Sequence, residues 1–416
     1  MTILLKSATI IDPKSEFHNA TVDILVESGT ITRIAENIQH EAEEIVELEN
    51  LHVSQGWFDH SVSFGEPGYE ERETIAHGLQ VAAKSGFTNV VLNPLTNPVI
   101  DTSSLVEAVL NKAKNQATTM HICGALTKHS DGIDLAELYD MHQHGVVTFG
   151  DYKTAITNPN LLKIALQYAQ NFEGLVQSYP QDNSIAGKGT VNEFENSTKL
   201  GLKGIPALAE ELQIARDLFI LEYTGGKLHI PTITTAKAVE LIAVAKSKGL
   251  DVTCSVTVHH LTLTDDKLSE FDSNYKLQPP LRTQTDVHAL RQGLKDGTID
   301  MVTTDHCPMD IERKNVEFDN ADYGTTGLES AFGILNSMFT TEESIDFLTR
   351  GAKRFHATSE NINEGSKASL SLFQPTGEGT FSKKDILSTS KNSAFIGEST
   401  TGQVYGIVSK GKLVLK

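Results

Sequence analysis

The side chains able to hold a metal ion or move a proton sit at or beside the ends of short β-rich runs. They are Asp59 and His60 in GWFDHSVSF, Asp151 in VVTFGD, His229 in KLHIPTI, and Asp305 with His306 in TTDHCP. Carboxylates and imidazoles are the groups that bind zinc-like ions and relay protons. Side chains at i and i+2 of a strand share a face. After Asp59 the alternating pair is Ser61 and Ser63, whose neutral hydroxyls are poor zinc ligands beside imidazole nitrogen. His60 lies one residue out of phase with that pair, so a regular strand turns it outward, toward the surrounding helices. Cys123, Cys254 and Cys307 are scattered, odd in number and without a CxxC pair, which suits a reducing compartment.

The elements that must position these residues alternate. From Gly56 to about Phe339, eight β-rich runs are each followed by a helical pattern. The strands are expected near 57–64, 88–93, 119–126, 146–151, 174–179, 227–233, 251–258 and 300–305. Among the helices, one should start at Ser103 and another should run from Thr235 to a stop at Gly249. Such alternation predicts a parallel sheet with crossover helices, and eight repeats predict closure into a (β/α)₈ barrel. No GxGxxG follows the first strand, so a dinucleotide fold lacks support.

The flanks read differently. SATIIDPKSEF, TVDILVESGTITRIAE, ASLSLFQP and GQVYGIVSKGKLVLK alternate apolar and polar residues with turn signals. A small composite β-sandwich from residues 1–53 and 365–416 is expected around a barrel of residues 54–364. The 35 basic residues against 54 acidic ones give a net charge of −19, which opposes binding to nucleic acid and to anionic membranes. No stretch reaches transmembrane length and the N-terminus lacks a signal-peptide core, so a cytoplasmic location is expected.

Several motifs now carry a resemblance. The segment GWFDHSVSFGEPGYEERETIAHGLQVAAKSGFTNVVLNPLTNPVID (56–101) is similar to the opening of dihydroorotases and related cyclic amidohydrolases, with D-x-H-x-H-x-R-E-P-G and then G-G-x-T-x-V-x-x-M-P-N-T-x-P. Asp59, Glu66, Pro67, Gly68, Gly86, Thr88, Pro94, Thr96 and Pro98 keep that frame. The segments 192–230, VTVHHLTLTDD, QPPLR, TTDHCP and GLESAFGILN match in the same order.

The resemblance implies a site at the barrel mouth where one or two zinc-like ions activate water against a cyclic amide. The metal positions it implies are Ser61, Ser63, Asp151, Tyr179, Thr232 and Asp305. Four of these six are histidines in the family, and only the two aspartates remain as ligands. Asp305 holds the proton-shuttle position, idle without a metal and then expected to accept structural hydrogen bonds. Lys153 raises a carboxylated-lysine alternative but reads as a surface lysine. Two substrate positions are also replaced, arginine by Gly65 and asparagine by Leu95, while Arg282 could still meet an anion.

The expectation is therefore a noncatalytic dihydroorotase-like protein that needs no cofactor and acts as a scaffold or regulatory partner in pyrimidine biosynthesis. The resemblance makes aspartate transcarbamoylase the partner to test and a homo-oligomer the expected state. One alternative is an active, zinc-dependent cyclic amidohydrolase with unusual ligands, drawing on Asp151 and Asp305 with His60, Tyr179 or His306. Another is a small-molecule sensor that binds a neutral ligand in the mouth.

Overall fold

All eight β-rich runs become strands in the computed structural model, which describes residues 1–416. They are β1 (Trp57–Val62), β2 (Phe87–Leu92), β3 (Thr119–Gly124), β4 (Val146–Phe149), β5 (Leu175–Gln177), β6 (Lys227–Ile230), β7 (Val252–Thr257) and β8 (Met301–Thr303). Each pairs in parallel with the next in chain order. The ring closes where Val62 bridges His306, and the Ser63 amide donates to the His306 carbonyl at 2.7 Å. The architecture is a (β/α)₈ barrel.

Asp59 reinforces that seam from inside β1. Its carboxylate is buried and accepts from the Thr304 amide at 2.9 Å and from the Thr303 and Thr304 hydroxyls. It also accepts from the Ser61 amide at 2.9 Å, and burial raises its pKa to about 6 although all four hydrogen bonds pull the other way. The family-like Asp59 thus joins the first strand to the last.

The helices form where caps and apolar spacing place them. The Thr235 hydroxyl accepts from the Ala238 amide at 3.1 Å and starts the helix Ala236–Ser247, and Gly249 follows its end at φ +78. The helix predicted from Ser103 spans Ser103–Lys112, but its N-cap residue is Thr102, which makes no side-chain capping bond. Between helices and strands lies the main core, where the Trp57 ring stacks on Phe332 with centroids 4.9 Å apart. Gly86, at φ +91, ends the turn into β2 where a Cβ would lie 2.4 Å from that Trp57 ring, so only glycine fits.

Both ends of the chain build one further sheet of eight strands. Residues Leu370–Phe373 run antiparallel to His52–Gln55, which lies in turn beside the first strand, Thr2–Ile11. The sheet has its own core of Ile, Leu and Val side chains, separate from the barrel. It runs on to Gln55 and resumes at Ser369. No helix is long and apolar enough to cross a membrane.

Candidate active site at the barrel mouth

Active sites of (β/α)₈ barrels form at the C-terminal ends of the strands. There the structure brings together Ser61, Asn93, Cys123, Asp151, Tyr152, Lys153, Gln177, Tyr179 and Thr232. Asp305 joins them through its contacts. Its Oδ1 accepts from the Ser61 hydroxyl at 3.1 Å and from the Tyr152 hydroxyl at 3.0 Å. Its Oδ2 lies 2.7 Å from the Lys153 ammonium. Every oxygen of this buried carboxylate is therefore matched by a protein donor, one of them a full positive charge.

Asp151 and the serine pair are committed to neighbours as well, whereas the buried Tyr179 hydroxyl has no hydrogen-bond partner. Asp151 accepts from the Thr127 hydroxyl at 2.6 Å and the Thr127 amide at 3.0 Å, and burial raises its pKa. The Asn93 amide group donates to both Ser61 and Ser63 at 3.1 Å, tying the alternating pair to β2. Thr232 and Tyr179 are buried, and burial raises the Tyr179 phenol well above its ordinary range. What is left open in the mouth amounts to about 20 Å³, room for a single water. Sites that enclose a small organic ligand run to several hundred cubic ångströms. The neutral-ligand sensor expected as an alternative therefore has no cavity to use.

Three residues here carry left-handed backbones without being glycine: Lys153 at φ +56, Thr232 at φ +52 and Asp305 at φ +49. Such conformations cost about 1–3 kcal/mol each and persist where the surroundings over-determine them. The left-handed turn after β4 swings Lys153 inward, so it is no surface lysine: its side chain is 13 % exposed and points at Asp305. Nothing in the local pattern GDYKTA announces that turn.

His60 corrects a second expectation. Between Asp59 and Val62, β1 spends one residue more than β2, a bulge that sets His60 and Ser61 both on the inner face. His60 stacks on Phe355 at 5.3 Å and meets His229 edge-on at 4.8 Å, beneath the mouth and inside the barrel rather than among the helices. Burial drives the His60 pKa down to about 3 and that of His229 lower than usual as well. His306 turns the other way, accepting at Nδ1 from the Gly327 amide at 3.2 Å. The imidazoles weighed as substitute ligands thus lie below the mouth or face away from it.

A zinc-like ion fits this donor set poorly. Nowhere in the chain do three or more His, Cys, Asp or Glu side chains converge in a way that could hold a metal ion. Hydroxyls of Ser61, Ser63, Tyr179 and Thr232 supply neither charge nor a strong lone-pair donor.

The expected anion contacts are equally rearranged. Arg282 is buried and gives its guanidinium to the Thr234 hydroxyl, the Asn192 carbonyl and the Ile205 carbonyl, with Glu210 at 3.9 Å. Gly65 has φ +98, and a Cβ there would sit 2.5 Å from the Tyr69 carbonyl oxygen. The loop has taken a shape that excludes any side chain at this position, arginine included. Leu95 does not line the mouth.

Comparison with known proteins agrees with this frame. A family described as Dihydro-orotase-like matches residues 51–238. A protein named Dihydroorotase from Thermoanaerobacter sp. (strain X514) is 36 % identical, covering 100 % of this chain and 98 % of its own length. Another of that name from Ruminiclostridium cellulolyticum is 38 % identical over 100 % of this chain and 99 % of its own. Among solved structures, the L-hydantoinase (dihydropyrimidinase) from Arthrobacter aurescens superposes with a TM-score of 0.86 at 20 % identity, covering 100 % and 96 % of the two chains. That likeness speaks to the fold. With relatives this similar along their whole length, and with the barrel and its Asp59 seam in place, the chain belongs to the dihydroorotase-like family of cyclic amidohydrolases.

Proposed function

We propose that this chain is a noncatalytic member of its family, a scaffold or regulatory partner whose barrel mouth is closed by its own side chains. The observation that carries this reading is the Lys153–Asp305 pair at 2.7 Å. A fixed ammonium sits on the carboxylate that would otherwise serve the reaction as proton shuttle, and Ser61 and Tyr152 occupy its other oxygen. Hydroxyls at four of the six expected ligand positions point the same way. Aspartate transcarbamoylase is the partner this reading favours, and a cytoplasmic location belongs with it, supported by three buried free cysteines.

The test is metal analysis and turnover of the purified full-length protein. Zinc far below one per chain and no hydrolysis of dihydroorotate above the uncatalysed rate are expected. Stoichiometric zinc together with turnover would overturn the reading. For the partner, titration with purified aspartate transcarbamoylase should give a complex that co-sediments at micromolar concentration; its absence would remove that assignment.

A second reading, an active cyclic amidohydrolase, is favoured by the relatives themselves. Proteins carrying the name dihydroorotase match this chain end to end at 34–38 % identity. Asp151 and Asp305 also stand at strand ends, where such chemistry needs carboxylates. Dihydroorotate turnover separates the two.

A further inference from the structure

The barrel is more open at the end away from the mouth. There the strands begin, and Leu175, Lys227 and Met301, the first residues of β5, β6 and β8, surround a cavity of about 450 Å³. The 3₁₀ turn Arg350–Phe355 supplies one wall through Arg350, Lys353 and Arg354, with His356 just beyond it. That wall is fixed in place. Arg350 donates at 2.8 Å to the carbonyls of Asp300, Leu294 and Ile299, and Arg354 donates at 3.2 Å to that of Leu228. From the same turn, Phe355 reaches inward and stacks on His60.

The charges here depart from those of the chain as a whole. On a chain of net charge −19, the cations around this cavity outnumber the carboxylates that answer them. Asp346 pairs with Arg350 and Asp251 with Arg354, and neither carboxylate lines the cavity. Asp300 does line it, but Lys246 holds both of its oxygens at 2.7 Å. Glu173 meets Lys227 at 3.2 Å with a side chain that is 83 % exposed, so this pair is weak and yields to a better partner. Lys353 is left over. It is exposed and has no carboxylate partner, and the same holds for His356.

We infer that this cavity binds a phosphate group, either free or carried by a small molecule. Lys227 and Lys353 supply the compact, mobile charges that meet phosphate, His356 adds a ring N–H, and the fixed Arg350 and Arg354 add to the positive field. Phosphate suits these donors better than a carboxylate does. Near neutral pH a phosphate monoester carries a charge of about −1.5 to −2 and three strong acceptor oxygens, one for each free donor. The volume also leaves room for a carrier, since cavities of several hundred cubic ångströms enclose small organic ligands.

The cavity lies at the opposite end of the barrel from the mouth, so the inference does not depend on whether the mouth is catalytic. Isothermal titration calorimetry of the full chain at low ionic strength tests it, with inorganic phosphate and ribose 5-phosphate as the two probes. Saturable binding is expected. Tighter binding of ribose 5-phosphate assigns the cavity to a carried phosphate, and tighter binding of inorganic phosphate assigns it to the free ion. Lys353→Glu should weaken the tighter probe by at least about tenfold and leave the thermal melt nearly unchanged, because the side chain is exposed and unpaired. Lys14→Glu makes the same change in net charge at an exposed position in the terminal sheet, and it should leave the affinity within about twofold. No saturable binding of either probe overturns the inference, and so does a Lys353→Glu protein that binds as tightly as the native one. Equal weakening by Lys14→Glu would trace the binding to net charge rather than to this cavity, and overturns it too.

Discussion

Replacing Lys153 with Met is expected to destabilise the fold by about 3 kcal/mol, the loss seen when one partner of a buried ion pair is removed. Asp305 is 2 % exposed and cannot reach water to recover the solvation it gives up on folding. Its hydrogen bonds from Ser61 and Tyr152 meet only one oxygen, so the other is left charged and unpaired. Asp305→Asn alone should cost less, since the partly exposed lysine can extend its ammonium toward solvent. The double substitution Lys153→Met/Asp305→Asn should then recover most of the loss, and the difference between the summed single losses and the double loss measures the coupling. Urea unfolding of the four proteins at neutral pH reads all of this from the midpoints. A Lys153→Met protein within about 0.5 kcal/mol of the native one would mean that the pair does not hold the mouth shut, and the noncatalytic reading would lose its main support.

This pair also marks where sequence reasoning stops. The eight strands were legible because each is a short apolar run flanked by turn residues and followed by a helical period. Asp151 and Asp305 were legible as mouth residues for the same reason, since they close the fourth and eighth runs. Lys153 was not. Its direction is set by a left-handed backbone two residues after Asp151, and a lysine gives no sign of adopting one. His60 departs from regular strand phase because a one-residue bulge puts two consecutive side chains on the inner face, and nothing in GWFDHSVSF signals that bulge. Phe355, on which His60 stacks, arrives from a short turn some 300 residues later in the chain, a contact that no local pattern encodes.

What Gly65 does was half legible. The missing arginine was plain in the sequence, but the crowding against Tyr69 was not. The difference matters for any attempt to rebuild a site. Restoring histidines at Ser61 and Ser63 would still leave Lys153 on Asp305 and a loop closed to an arginine. Loss of ligands and reshaping of the frame have gone together, so side-chain reversion alone is expected to fall short.

The buried imidazoles make the fold sensitive to mild acid, and this is the other large effect expected. His60, His121, His229, His259, His260 and His306 all have pKa values pushed below the ordinary 6.5 by burial, His121 to about 4 and His60 and His260 to about 3. The folded chain therefore keeps these rings neutral where the unfolded chain protonates them. Below pH 6.5 the unfolded state binds more protons, so stability falls as pH falls, down to the folded-state values. From pH 7 to pH 6 the three rings held at about 3 to 4 contribute about 0.7 kcal/mol of loss each, or about 2 kcal/mol together, and the other three act in the same direction. Asp59 opposes this, because burial raises its pKa from 3.8 to about 6 and the folded state takes up that proton first. Asp151, Glu210, Asp217 and Asp265, all shifted upward by burial, act in the same direction as Asp59, whose own gain lies mostly below pH 6. For a chain of this length that loss from the rings lowers Tm by about 2 °C between pH 7 and 6, readable in a buffer-matched thermal melt. A Tm that held steady or rose over that interval would mean that the six rings are not buried as neutral groups. The His60→Gln protein should show a smaller fall of Tm over this interval, since a neutral amide in that place has no proton to gain.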